Sequence, residues 1–163
     1  MTRSWISLFA LLLSASAAAQ DGAVDLVRVD KSDRSLTLYA EGRVVRTYTG
    51  IQLGDEPVGA KRFQGDERTP EGRYTIDFGN PQSAYHLSLH ISYPDAQDRA
   101  YARAQGRSPG GDIFIHGQPN GFAEVGRARV EGDWTDGCIA LADAEIEELW
   151  GLVGNGTSIE IVP

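Results

Sequence analysis

Cys138 is the single cysteine of the chain, and it lies in the stretch Trp134-Thr135-Asp136-Gly137-Cys138-Ile139-Ala140-Leu141. Upstream, the apolar run Ile113-Phe114-Ile115 ends in His116 and Gly117. A thiol attacks well only as thiolate, so a reacting cysteine needs a base or a positive field beside it. A glycine before such a nucleophile permits a sharp turn and lets a substrate carbonyl approach main-chain N–H groups. The residue types therefore point to acyl transfer, with Cys138 attacking and His116 as base. The N–H groups of Gly137 and Cys138 would then hold the oxyanion. A plainer reading stands beside this one: a lone cysteine is commonly a small buried hydrophobe, and the histidine a satisfied polar residue.

The elements that must position this pair are mostly strands. Val24 to Asp30 suits a first strand. Leu36, Leu38 and Ala40 share one face of a second, and Glu41-Gly42 marks a turn before Val44 to Ile51. Leu53 to Asp66 is glycine-rich loop, Thr69-Pro70-Glu71-Gly72 a tight turn, and Arg73 to Phe78 a further strand. His86 to Ile91 alternates strictly, with both histidines on one face. A short helix follows over Ala96 to Gln105, then a strand over Asp112 to His116 and a long loop from Gly117 to Asp133. Asp143 can N-cap a second helix carrying Ile146, Leu149, Trp150 and Val153, and Ile159 and Ile161 alternate in a closing strand. The pattern predicts a mostly β, single β-sandwich-like domain with two short helices.

Length and charge bound the function. The chain has 163 residues, 15 basic and 23 acidic side chains, and a net charge of −8. That balance disfavours nucleic acid, which requires a basic footprint. Arg3, the apolar run Trp5 to Leu13 and the small residues Ala15 to Ala19 have the layout of a secretory signal peptide. The run is too short for a comfortable membrane span. The reading is therefore a signal peptide over 1–19 and one domain over 20–163, with no stable membrane span after cleavage. A single cysteine cannot form an internal disulfide, and in an oxidising compartment an unpaired thiol is a liability unless buried or used.

Taken together, Thr69-Pro70-Glu71-Gly72 before a strand, Ile115-His116-Gly117 and Thr135-Asp136-Gly137-Cys138-Ile139 resemble the L,D-transpeptidase catalytic domain (YkuD-type) of bacterial cell-wall enzymes. The family pattern is histidine, a variable loop, then Ser/Thr-x-Gly-Cys, with Thr135, Gly137 and Cys138 in the matching places. The resemblance implies a metal-free, cofactor-free enzyme of the periplasm or cell wall. Its partners would be peptidoglycan stem peptides, and acyl transfer through a Cys138 thioester would cross-link the wall or anchor a protein. Water in place of the acceptor amine would make it an L,D-carboxypeptidase or amidase-type hydrolase. An inert cysteine would leave a wall-binding module. Asp136 stands where the family often has histidine, and Ala140 where it usually has arginine or a polar residue.

Those departures define the remaining candidates. Asp136 would either support His116, raising its pKa and favouring a thiolate–imidazolium pair, or serve the turn. Arg127 or Arg129 would grip a substrate carboxylate or remain a solvated loop charge. Gly117 and Thr135 would line the site. His86 and His90 would line the cleft, form a surface pair or, by residue type, join a zinc set.

Overall fold

The computed structural model describes residues 23–123 and 128–163. The signal-peptide reading of 1–19, and Arg127, lie outside the described residues. Three strands open the chain as an antiparallel meander: β1 (Leu26–Asp30), β2 (Ser35–Ala40) and β3 (Arg43–Thr49). Leu36, Leu38 and Ala40 are buried as their alternation requires. The Glu41-Gly42 turn takes positive φ at both residues, +53° and +74°, the twist that matches a tight hairpin. β1 also pairs in parallel with the closing strand β8 (Ser158–Val162), whose Ile159 and Ile161 are buried.

β4 (Gly72–Ser83) is the long strand that joins the two halves. Its first residues pair with β8 and its later ones with β5 (His86–Ile91). Register shifts between Ile76 and Gly79, and again between Asn80 and Ser83, bend it between those partners. The sequence reading ended this strand at Phe78, whereas it runs on through Gly79 to Ser83. Gly79 is a packing glycine: a Cβ there would lie 2.5 Å from the Trp150 ring.

β5 pairs with β6 (Ile113–His116), and β6 runs parallel to the two-residue β7 (Ile139–Ala140). The sheet order is β3-β2-β1-β8-β4-β5-β6-β7. The chain leaving β3 reaches the far end of that order. Gln52 exchanges backbone hydrogen bonds with Ala140 at 2.9 and 2.8 Å, and Gly54 bridges Thr135. The sheet therefore curls until its two ends meet, enclosing one core that includes Val27, Leu38, Leu53, Ile76, Ile91, Ile115 and Ile139. This is the mostly β, sandwich-like architecture that the alternation implied, with two helices on it.

Helix α1 (Ala96–Ala104) starts at Asp95, whose carboxylate accepts the Gln97 and Asp98 N–H groups, while Asp98 reaches back to the Asp95 N–H. Helix α2 (Asp143–Leu152) buries Ile146 and Leu149. Its N-cap is Ala142 rather than Asp143, and the Glu145 carboxylate accepts the Ala142 N–H at 2.9 Å. Asp143 is committed elsewhere: its carboxylate accepts the Gln118 N–H at 2.8 Å, tying α2 to the chain just after His116. Among the described residues, no helix is long and apolar enough to cross a membrane.

Candidate active site

The parallel β6–β7 pairing sets the two candidate side chains, Cys138 and His116, on one face. Ile115 lies opposite Ile139 and His116 opposite Ala140, so Cys138 falls beside Phe114. Side chains alternate along a strand, so Ile115 and Ile139 enter the core while Phe114, His116 and Cys138 share the other face. Cys138 and His116 both line a cleft of about 730 Å³ and an adjoining pocket of about 280 Å³. Ala140, in the place of the family's polar residue, is fully buried beside His116.

The turn into Cys138 is built by Thr135. Its hydroxyl accepts the Gly137 N–H at 3.2 Å and donates to the Cys138 carbonyl at 2.7 Å. Gly137 is required for backbone reasons. Its φ is +125°, and a Cβ would lie 2.4 Å from the Arg68 carbonyl oxygen. The close approach that this glycine permits is thus to the chain's own loop. Its N–H is already used by Thr135, which corrects the expectation that Gly137 helps to hold an oxyanion and leaves the Cys138 N–H of the expected pair.

Around the thiol, the Phe114 N–H donates to Sγ at 3.4 Å and the thiol donates to the Asp112 carbonyl at 3.6 Å. Asp112 holds that carbonyl in place from a left-handed conformation, φ +56°. Burial pushes the Cys138 pKa up to about 11; the Phe114 N–H and the Lys61 ammonium oppose the rise, and the Asp136 and Asp112 carboxylates add to it. Lys61 is itself almost fully buried, bonded to Asp66 at 2.9 Å and to the Asp136 carbonyl at 3.4 Å.

His116 is buried, 3 % exposed, and its Nδ1 lies 2.7 Å from the Gly117 carbonyl. A carbonyl only accepts, so Nδ1 carries the proton and Nε2 of the neutral ring has an open lone pair. Burial lowers the His116 pKa, and the Gly117 carbonyl partly offsets this. Gly117 is fixed from both sides. A Cβ there would meet Asp143 at 2.7 Å and His86 Cβ at 2.9 Å, so only glycine fits under α2.

Several expectations are corrected here. Asp136 is exposed on the cleft wall; of its two readings, the supporting role loses ground, because the Nδ1 it would have held is bonded to the Gly117 carbonyl. Burial lowers the His116 pKa and raises that of Cys138, so both shifts run against the expected thiolate–imidazolium pair. Arg129 points away from the cleft and binds Glu145 and the carbonyls of Thr49 and Gly50. His86 pairs with Glu147 at 2.7 Å, and His90 with Asp77 at 2.6 Å while stacking on Phe78 at 4.5 Å. Neither histidine lines the cleft or the adjoining pocket, so both hold the surface.

Sequence reasoning missed Lys61, Tyr85, Asp112 and Trp134, all of which line the cleft. It also missed the buried Gln52–Gln118 pair. Gln118 donates to Gln52 at 3.1 Å and to the Leu141 carbonyl at 2.7 Å, and accepts the Val130 N–H at 2.7 Å. That pair ties the long loop to both ends of the sheet. Only Trp134 stood in the motif itself; the others come from loops and turns with no spacing signal.

A glycine–cysteine turn and a histidine on one cleft of a curled mixed sheet point to a class, and the sequence comparison agrees with it. Residues 25–161 match the model of the YkuD L,D-transpeptidase catalytic domain, and the chain belongs to that family. It is 26 % identical over 133 residues to the Escherichia coli protein YafK, which covers 78 % of this chain and 46 % of YafK. Among solved structures it is similar to the helical cell shape determining protein Pgp2 from Campylobacter jejuni. That match has 28 % identity and a TM-score of 0.67 over 86 % of this chain and 48 % of Pgp2. An L,D-transpeptidase from Xylanimonas cellulosilytica shares the fold, at 16 % identity and a TM-score of 0.54 over 88 % of this chain and 62 % of that one. The chain spans about half the length of YafK and Pgp2.

Proposed function

We propose that this domain is a cysteine-dependent L,D-transpeptidase acting on peptidoglycan stem peptides outside the inner membrane, in the periplasm or wall. Residues 1–19 would act as its export signal. The observation that carries this reading is the shared face of Cys138 and His116 on one cleft, with Nδ1 anchored and Nε2 open. Family membership supplies the substrate class.

The chemistry runs from a neutral pair. As Sγ attacks the donor carbonyl, its proton passes to His116 Nε2 and the carbonyl electrons move onto oxygen. The Cys138 N–H donates to that oxyanion; one such donor contributes ~3 kcal/mol. Collapse re-forms the carbonyl and breaks the C–N bond, and the leaving amine takes the proton from His116. An acceptor amine then attacks the thioester, and Cys138 recovers its thiol proton. With water as the acceptor the same steps give a shortened stem peptide.

The test is incubation of the pure protein with muropeptides, followed by mass spectrometry. Cross-linked products support the transpeptidase reading, and shortened stems alone replace it with the hydrolase. No product and no Cys138 adduct would leave the wall-binding module.

A further inference from the structure

His116 is enclosed by two rings that the proposed chemistry does not use. Tyr85 lies over the imidazole at 4.6 Å between centroids and 30° between planes, and Trp134 meets it edge-on at 5.6 Å and 63°. The two aromatics also contact each other at 5.7 Å. We propose that Tyr85 and Trp134 are positioning residues, a bracket that excludes water from His116 and fixes the direction of Nε2. This proposal rests on the reading of His116 as the base.

The bracket is built into the backbone as well as the side chains. The Tyr85 carbonyl accepts the Gly117 N–H at 3.0 Å, and the Gly117 carbonyl holds His116 Nδ1. One residue, Gly117, therefore links Tyr85 to the ring it covers. The Tyr85 turn is itself pinned: its N–H donates to Ser83 Oγ at 3.0 Å, and Asn120 bonds Ser83, Ala84 and His86. Trp134 closes the corner beside Tyr85 from a different loop, the residue before Thr135, with its backbone N–H on the Leu53 carbonyl at 3.4 Å. The indole Nε1 is buried with no hydrogen-bond partner among the described residues.

Tyr85 has a second property. It is 40 % exposed and lines both the cleft and the adjoining pocket, as do Asp112, His116 and Cys138. Its ring therefore stands where the two cavities meet, and removing it would open His116 to water from both. An imidazole with one face released can rotate about its Cβ–Cγ bond. A misplacement of about 1 Å at a reacting group costs on the order of a hundredfold in rate.

The experiment follows His116 in the intact chain by NMR titration of its ring carbons, assigned with His116→Ala against His86 and His90. The other ionisable groups around the ring are Cys138, Lys61, Glu67, Asp112 and Asp136 on the cleft and Asp143 behind Gly117. Their identities do not change in the variants. Tyr85→Leu keeps apolar bulk without a flat ring, and Tyr85→Phe keeps the ring without the hydroxyl. Trp134→Leu tests the other wall, and Tyr85→Ala is the harsher form. Expected is an upward move of the His116 midpoint in the leucine variants, with turnover on muropeptides down on the order of a hundredfold and KM little changed. Tyr85→Phe should restore both readouts. A parental His116 titration and rate in Tyr85→Leu and Trp134→Leu overturns the bracket. Loss of stability with an unmoved titration overturns it too, since that is packing alone. If His116→Ala itself keeps full turnover, the base assignment falls instead, and the titration still reports on the bracket.

Discussion

At neutral pH the resting thiol of Cys138 should be slow rather than poised. Burial beside Asp112 and Asp136 pushes its pKa up to about 11, against an ordinary thiol near 8.5 to 9. Each pH unit is tenfold in thiolate, so near neutrality Cys138 holds about a hundredfold less thiolate than an exposed cysteine. The perturbation is pH itself, and the assay is the rate of iodoacetamide addition to Cys138 followed by intact mass. The rate should climb about tenfold per pH unit well past the point where a free cysteine levels off. The same displacement has a sign in stability. The fold holds the proton more tightly than the unfolded chain, so this contribution is fully present below the ordinary thiol range. It is lost as pH rises through about 9 to 11, on the order of 3 kcal/mol at most. A half-maximal alkylation pH at or below that of free cysteine would refute the burial argument and restore a preformed thiolate.

Four further outcomes follow from the same geometry. Cys138→Ala should abolish turnover and labelling while the melting temperature stays near the parent, because the half-buried sulfur leaves a cavity costing about 1 kcal/mol; product formed by the pure variant would end the cysteine mechanism. Gly137→Ala puts a Cβ 2.4 Å from the Arg68 carbonyl at φ +125°, and urea unfolding should show a loss of about 3 kcal/mol; a loss under about 0.5 kcal/mol would show that the loop yields freely. Asp136→Asn removes a charge that opposes thiolate formation, so alkylation at a fixed pH should quicken a few-fold while the His116 titration stays put. Slower alkylation and lost turnover in that variant would return Asp136 to a supporting role. Arg129→Ala should leave KM for muropeptides alone and lower stability by about 1 kcal/mol through its partner Glu145, as read by thermal melting; a raised KM would place that arginine at the substrate.

The pattern of the chain was legible where one physical rule acted alone. Alternation gave β1, β2, β5 and β8 to within a few residues, because each buries one face. It failed at β4, which runs past Phe78 because Gly79 packs under Trp150, and at β7, which two residues are too few to signal. Capping chemistry put the start of α2 within a residue but misjudged Asp143 as its N-cap. A carboxylate there satisfies either its own helix or the Gln118 backbone, and sequence cannot tell which donor is nearer.

The sequence by itself carried the family and the candidate pair, Cys138 and His116. Cysteine and histidine are chemically distinctive, and the turn between Thr135 and Cys138 is written in local residue types. Tertiary structure alone decided what surrounds them. The tautomer of His116 depends on the Gly117 carbonyl, and the thiol's acidity on burial beside Asp112. The absence of Arg129, His86 and His90 from the lining of the cleft depends on which elements the curled sheet brings alongside. Side-chain identity sets what a group can do, but dielectric, tautomer and partner are properties of neighbours far away in the chain. Tyr85 reaches His116 only because β5 and β6 pair, and no spacing rule records that.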